Sequence, residues 1–134
     1  MKQSLIFVFI AVLLSSCFRR KLPGSCINIA CTNEYKMLTV AIIDSNNQPF
    51  YPQKLESIIK DSIINVSNSP ILPNQNAWLI LGDDIKEKLG VNIENTMIVK
   101  TYTNNKVRSI DTFIVKADCC HIQKLSGKDT LKIK

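Results

Sequence analysis

Residues 96–117 read TMIVKTYTNNKVRSIDTFIVKA and carry the strongest structural signal of this sequence. The two flanks of this stretch, 96–103 and 106–117, are rich in β-branched and aromatic residues, which favour strands. Asn104 and Asn105 lie between the flanks and tolerate the positive φ angles of a two-residue hairpin turn. The pattern therefore predicts an antiparallel β-hairpin, and we expect a mainly β fold around it.

Three other segments extend the predicted sheets. Residues 36–44, KMLTVAIID, form an apolar strand that ends at a polar turn cluster, SNNQP. Because this strand is apolar on both faces, we expect it at the centre of a sheet. Residues 78–81 and 130–133 predict two further short strands.

Two segments are less regular. Residues 55–66 fit either a helical stripe or strands, and we favour strands. Residues 83–90 predict one short helix, because Asp84 and Glu87 have the spacing of a capping box and Gly90 suits a left-handed helix end. About five to seven strands and one helix predict an antiparallel β-sandwich, which we assign to a single domain over residues 36–134.

The first residues of the chain have the layout of an export signal. A lysine precedes ten apolar residues, 5–14, which are too few to span a bilayer. The segment LSSC at 14–17 ends this apolar run and resembles the lipobox of a bacterial lipoprotein. That resemblance implies a cleaved signal peptide over residues 1–16, acylation of Cys17, and attachment to a membrane through this cysteine.

The residues after Cys17 indicate where the anchor lies. Arg19, Arg20 and Lys21 are cations of the kind that anionic lipid headgroups attract. No acidic cluster follows the cysteine, so we expect an outer-membrane lipoprotein that faces the periplasm, with the cell surface as the alternative. We assign residues 17–35 to a lipidated tether.

Removal of residues 1–16 leaves 118 residues (134 − 16) and four further cysteines, which are Cys26, Cys31, Cys119 and Cys120. An even number of cysteines in an exported domain predicts two disulfides. One of the three connectivities joins Cys119 to Cys120, and a bridge between adjacent residues needs unusual backbone geometry. We therefore expect the early pair to be linked to the late pair, in either of the two remaining forms.

Two stretches resemble known families. Residues 38–49, LTVAIIDSNNQP, are similar to the opening strand and turn of carboxypeptidase-regulatory-like modules, which are transthyretin-like or immunoglobulin-like sandwiches; Asn47 stands where those modules usually carry glycine. The segments ACTNE at 30–34 and ADCCH at 117–121, with SG at 126–127, look like those of a group of small lipoproteins from Bacteroidota-type bacteria. Both resemblances imply a β-sandwich, and the second implies an envelope address without an activity.

The charge distribution and the reactive side chains reduce the number of function classes that we expect for this protein. The net charge of +6 falls to +5 without Lys2, and the cations are spread among acidic residues, unlike the clustered cations of a nucleic-acid binder. His121 is the only histidine and no G-x-S-x-G motif is present, so we expect neither an enzyme nor a cofactor. We interpret Asp83 and Asp84 as helix-capping residues and His121 as a partly exposed strand residue.

These observations predict a non-enzymatic binding or scaffold module in the bacterial cell envelope, with an envelope protein as a further partner. The alternative is a small metal- or redox-active protein that uses the cysteines together with His121, since thiolates and imidazole are zinc ligands. Thiols in an exported protein tend to be oxidised, and for that reason we favour disulfides.

Overall fold

The structure, a computed structural model, describes residues 26–133. The predicted signal peptide, residues 1–16, and the predicted acylation site, Cys17, lie outside these residues. Eight strands form two sheets, and one short helix follows the fourth strand. The prediction of a mainly β, largely antiparallel sandwich with one short helix is confirmed.

Residues 26–35, the described part of the predicted tether, contain no helix or strand, and neither does Lys36. Two 3-10 turns, Pro73–Gln75 and Asp83–Ile85, lie before β4 and before the helix. In chain order the elements are β1 (Met37–Ile43), β2 (Lys54–Ile59), β3 (Ser62–Ser67), β4 (Ala77–Gly82), α1 (Lys86–Leu89), β5 (Asn95–Thr103), β6 (Lys106–Ala117), β7 (Ile122–Ser126) and β8 (Thr130–Lys132).

The smaller sheet has the order β4-β1-β8, so β1 is its central strand, as its apolar faces predicted. β1 is antiparallel to β4 and parallel to β8. The turn after β1 contains a left-handed residue, Asn47, with a φ of 62°. Asparagine adopts this region more readily than most residues, so the turn forms without a glycine at this position.

The larger sheet has the order β3-β2-β5-β6-β7, and all its neighbouring strands are antiparallel. β5 and β6 form the predicted hairpin, with φ angles of 51° at Asn104 and 58° at Asn105. Residues 55–66 belong to two strands, β2 and β3, which are joined by Lys60 and Asp61. The preference for strands over a helix in this segment is confirmed.

The two sheets share one apolar core. β1 contributes Val40 and Ile42, and the larger sheet contributes Leu55, Met97 and Phe113, all of them almost completely buried. Burying a side chain of this size stabilises the fold by roughly 1.5–3 kcal/mol. The core therefore fixes the sheets relative to each other and positions the loops at each end.

Some local predictions are wrong. No side chain caps α1 or the 3-10 turn before it, so the capping box of Asp84 and Glu87 does not form; Gly90, with a φ of 77°, does end the helix. The structure has eight strands, one more than the expected five to seven, because β7 was not predicted; it is only five residues long, a run too short to separate from a loop by its periodicity. His121 lies just before β7 and not within a strand.

Candidate functional site

The tether is fastened to one end of the sandwich by two disulfides. Cys26 is bonded to Cys119 and Cys31 to Cys120, with Cα–Cα separations of 5.3 and 5.2 Å. This is one of the two connectivities that link the early cysteines to the late pair. The bonded residues are 93 and 89 positions apart, so the bridges join the N-terminal segment to the turn between β6 and β7.

Asp83 accepts three hydrogen bonds from distant parts of the chain. Its Oδ2 accepts from the backbone N–H of Lys36 and lies 2.8 Å from His121 Nδ1, while its Oδ1 accepts from the backbone N–H of Ile122. The helix-capping interpretation is therefore wrong, because this buried carboxylate ties three segments together. Burial alone would raise the pKa of Asp83, but the hydrogen bonds outweigh it and hold the pKa below its ordinary value.

His121 connects Asp83 to the tether. An ionised carboxylate only accepts hydrogen bonds, so His121 Nδ1 donates to Asp83. In the neutral ring Nε2 is then an acceptor, and Thr32 Oγ1 lies 3.0 Å from it. Because Thr32 follows Cys31 directly, this hydrogen bond and the second disulfide hold the same point of the tether.

Two further carboxylates support this region. Asp118 Oδ1 accepts from the backbone N–H groups of His121 and Cys120, and these bonds lower the pKa of Asp118. Asp84 Oδ1 accepts a hydrogen bond from the Tyr35 hydroxyl, and this bond raises the pKa of Tyr35. Both contacts restrain the backbone next to the disulfides.

A cavity of about 260 Å³ opens beside these residues. Lys86 of α1 forms part of its wall, and its ammonium donates to the carbonyl of Cys120 at 3.2 Å. We use the name clasp for the residues that hold the tether by disulfides or through the histidine, which are Cys26, Cys31, Thr32, Asp83, Cys119, Cys120 and His121.

The clasp contains a hydroxyl, an imidazole and a carboxylate in the order that activates a nucleophile in hydrolases, namely Thr32, His121 and Asp83. Acyl transfer also needs N–H donors that face the developing oxyanion. The backbone N–H groups of Cys120 and His121 are both donated to Asp118 and are not available for this purpose. These two N–H groups therefore do not face a group bound at Thr32, and the three side chains connect the tether to the sandwich.

The disulfides also bear on the zinc alternative. All four sulfur atoms of the clasp are in disulfides, and zinc binds thiolates. Within residues 26–133, no three cysteine, histidine, aspartate or glutamate side chains are arranged to hold a metal ion. His121 is used as a link between Asp83 and Thr32.

The sequence identified the four cysteines and the histidine, but it missed Asp83 and Thr32 as partners of His121. Helix capping explained Asp83 from its neighbours alone, whereas its backbone donors, Lys36 and Ile122, are 47 and 39 residues away in sequence. The predicted cross-link between the early and the late cysteines could have indicated one of these contacts. Thr32 follows Cys31 and His121 follows Cys120, so a bridge between the two cysteines brings their neighbours close together.

Comparisons of the chain with protein-family models, with curated proteins and with solved structures found no match. The family resemblances drawn from short motifs therefore stay predictions. Among residues 26–133, no helix combines the length and the apolar character needed to cross a membrane.

Proposed function

We propose that this protein is a membrane-anchored lipoprotein that acts as a non-enzymatic binding or scaffold module in the bacterial cell envelope. Residues 1–16 are its signal peptide, and Cys17 carries its acyl anchor in the outer membrane. The β-sandwich then faces the periplasm and is available to an envelope protein. This proposal groups the chain with the small lipoproteins of Bacteroidota-type bacteria and the carboxypeptidase-regulatory-like sandwiches that its motifs resemble.

The clasp is the observation that carries this proposal. Disulfides form and persist in oxidising compartments, which exported proteins reach and most cytosolic proteins do not. Only eight residues separate Cys17 from Cys26, so the clasp holds the segment that directly follows the proposed anchor. A force on the anchor would be transmitted through the disulfide to the β6–β7 turn, and it would not separate β1 from its sheet.

The polar contacts of the clasp support a module that binds and does not catalyse. The histidine is engaged by Asp83 on one side and by Thr32 on the other. Because one end of the sandwich is used for attachment, the opposite end and the outer sheet faces are left for partners.

The substitution Cys17→Ser tests the anchor. In a bacterium that processes lipoproteins, we expect the wild-type chain to incorporate labelled fatty acid and to begin at Cys17 after cleavage. Cys17→Ser should abolish both, because the acyl group is attached to the sulfur. The matched control replaces Cys26 and Cys119 together by serine, which should leave acylation intact. Equal labelling of Cys17→Ser and the wild type would contradict the proposal.

A further inference from the structure

The disulfides are the main bonds between the tether and the sandwich. Every residue from 26 to 35 is exposed, and none of them belongs to a helix or a strand. The hydrogen bond between Thr32 and His121 is at an exposed position. The one from Tyr35 to Asp84 is exposed as well. Two such bonds contribute less than the conformational entropy that is lost when the whole segment is fixed, so without its disulfides the tether should leave the sandwich.

The sandwich does not need the tether for its packing. Among the described residues, the apolar core includes none from the segment 26–35. The core side chains come from the strands and from the short segment around α1. Loss of the tether therefore leaves the packing between the two sheets in place.

Each disulfide has one exposed half, which belongs to the tether. Cys26 and Cys31 are exposed, whereas Cys119 and Cys120 are half-buried. A thiolate from solvent therefore reaches the tether sulfur of each bridge more easily than the sulfur in the β6–β7 turn. Attack on a tether sulfur makes Cys119 or Cys120 the leaving group of the exchange reaction.

Lys86 lies beside both leaving groups. It lines the cavity of about 260 Å³ together with Cys31 and Cys120. It also lines a second cavity, of about 160 Å³, together with Cys26 and Cys119. A neighbouring cation stabilises a thiolate and so makes it a better leaving group. Lys86 therefore favours the opening of either bridge by thiol–disulfide exchange.

We propose that the clasp is a redox-controlled release, in which a protein dithiol reduces both bridges and frees the tether while the sandwich stays folded. One thiolate of the dithiol attacks the sulfur of Cys26, forms a mixed disulfide and breaks the bond to Cys119, whose thiolate takes up a proton. The second thiol of the dithiol, as a thiolate, then attacks the mixed disulfide, which releases Cys26 as a thiol and leaves the dithiol oxidised to a disulfide. The bridge between Cys31 and Cys120 opens in the same way, so two electrons and two protons pass from the dithiol to each bridge.

Release of the tether lengthens the spacer between the anchor and the sandwich. This consequence deepens the proposed function and rests on it, since it requires the acyl anchor at Cys17. Cys26 is nine positions (26 − 17) after Cys17, which is at most about 30 Å of extended chain. Lys36, where the tether ends, is nineteen positions (36 − 17) after Cys17, at most about 65 Å. The oxidised protein therefore stays near the membrane, and the reduced protein reaches partners farther from it.

Cleavage by a glutamyl endopeptidase tests this proposal on the full chain purified from a bacterial envelope. Glu34 is an exposed residue of the tether, while Glu56 is a buried residue of β2. We expect dithiothreitol, a small dithiol, to raise the rate of cleavage after Glu34 at least about tenfold, because a released segment can enter the protease. Cleavage after Glu56 should not change, since the sandwich stays folded. Alkylation and mass spectrometry count the thiols in the same samples.

Substitutions on α1 test the chemical step. Lys86→Gln should slow the reduction of both bridges by about two- to fivefold, the effect of one ion pair at a partly exposed site. Lys88→Gln is the matched control, because Lys88 is on the same helix but is exposed and lines neither cavity. An equal rate of reduction in the two variants would overturn the role of Lys86.

Three results would overturn the release itself. Alkylation of four thiols without faster cleavage after Glu34 would mean that the tether stays bound without its bridges. Faster cleavage after both Glu34 and Glu56 would mean that reduction unfolds the sandwich. Bridges that excess dithiothreitol leaves intact in the folded protein would not be a switch. A chain without an acyl group would contradict the proposed function, yet the two cleavage rates would still decide whether reduction frees the tether.

Discussion

Asp83 is the residue at the centre of the clasp. We predict that Asp83→Ala lowers the free energy of unfolding by about 3 kcal/mol, because two backbone N–H groups, those of Lys36 and Ile122, lose their acceptor at a buried site. Urea unfolding measures the change. Asp84→Ala is the matched control, and it should lower the free energy by less than about 1 kcal/mol, because Asp84 accepts from an exposed side chain. Equal losses for the two variants would contradict the role of Asp83.

Two carboxyl groups of this region, those of Asp83 and Asp118, should make the stability of the fold depend on pH. The pKa values of Asp83 and Asp118 are lowered in the folded protein, Asp83 in spite of its burial and Asp118 through backbone N–H donors. A carboxyl group with a lowered folded pKa stabilises the fold above its unfolded value, here 3.8, and this contribution is lost as the pH falls through the folded pKa. We therefore expect the free energy of unfolding to decrease on acidification below about pH 4.

Asp118→Asn isolates one part of this pH dependence, because an amide does not titrate in this range. Urea unfolding at several pH values between about 5 and 2 should give a shallower decrease for this variant than for the wild type. Asp44→Asn is a control at a carboxylate that also accepts two backbone N–H bonds, but in the turn after β1 and not in the β6–β7 turn. A slope that Asp118→Asn leaves unchanged would rule out a contribution of Asp118.

At the scale of elements, the two-residue turn between β2 and β3 has a backbone conformation that its own residues do not favour. Lys60 and Asp61 have φ angles of 49° and 61°, a region that lysine rarely adopts. We predict that replacing them by Asn and Gly, the preferred pair for such turns, raises the free energy of unfolding by about 1 kcal/mol. Thermal and urea unfolding measure the gain.

Asn105→Gly in the β5–β6 turn is the control for this prediction. Its φ of 58° is also left-handed, but asparagine already tolerates that region, so the gain should be smaller. A larger gain at Asn105 than in the β2–β3 turn would show that positive φ at Lys60 and Asp61 is not what limits the hairpin.

These turns explain which elements the sequence could predict. The β5–β6 hairpin was evident because its turn contains two asparagines, while β2 and β3 stayed ambiguous because Lys60 and Asp61 do not resemble a turn. Asp83 was misinterpreted for a related reason, since local spacing matched a helix cap and its donors come from remote strands and loops. Periodicity and turn chemistry are local signals, and the clasp is formed by tertiary contacts that they do not encode.

At the scale of the whole molecule, the two disulfides should not contribute additively. Either bridge alone closes the long loop between the tether and the β6–β7 turn, and the other then closes a ring of only a few residues. In the chain-entropy model, removing one bridge by serine substitution of both its cysteines lowers the free energy of unfolding by about 2 kcal/mol. Removing the second bridge should lower it by about 4–5 kcal/mol more.

A double-mutant cycle measures this coupling by urea unfolding. Cys26 and Cys119 are replaced together, then Cys31 and Cys120, and finally all four. We expect the loss in the fourfold variant to exceed the sum of the two paired losses. Additive losses would mean that the bridges constrain separate parts of the unfolded chain, against the shared loop that the structure describes.

The most direct test of the whole account is the intact mass of the protein purified from bacterial envelope membranes. We predict a chain that begins at Cys17, carries acyl groups, and is lighter by two hydrogens for each of the two clasp disulfides. No thiol should be alkylated before reduction, and four should be alkylated after it. A chain that still begins at Met1, lacks acyl mass, or reacts with the alkylating reagent before reduction would contradict the account of a lipid-anchored sandwich held by its clasp.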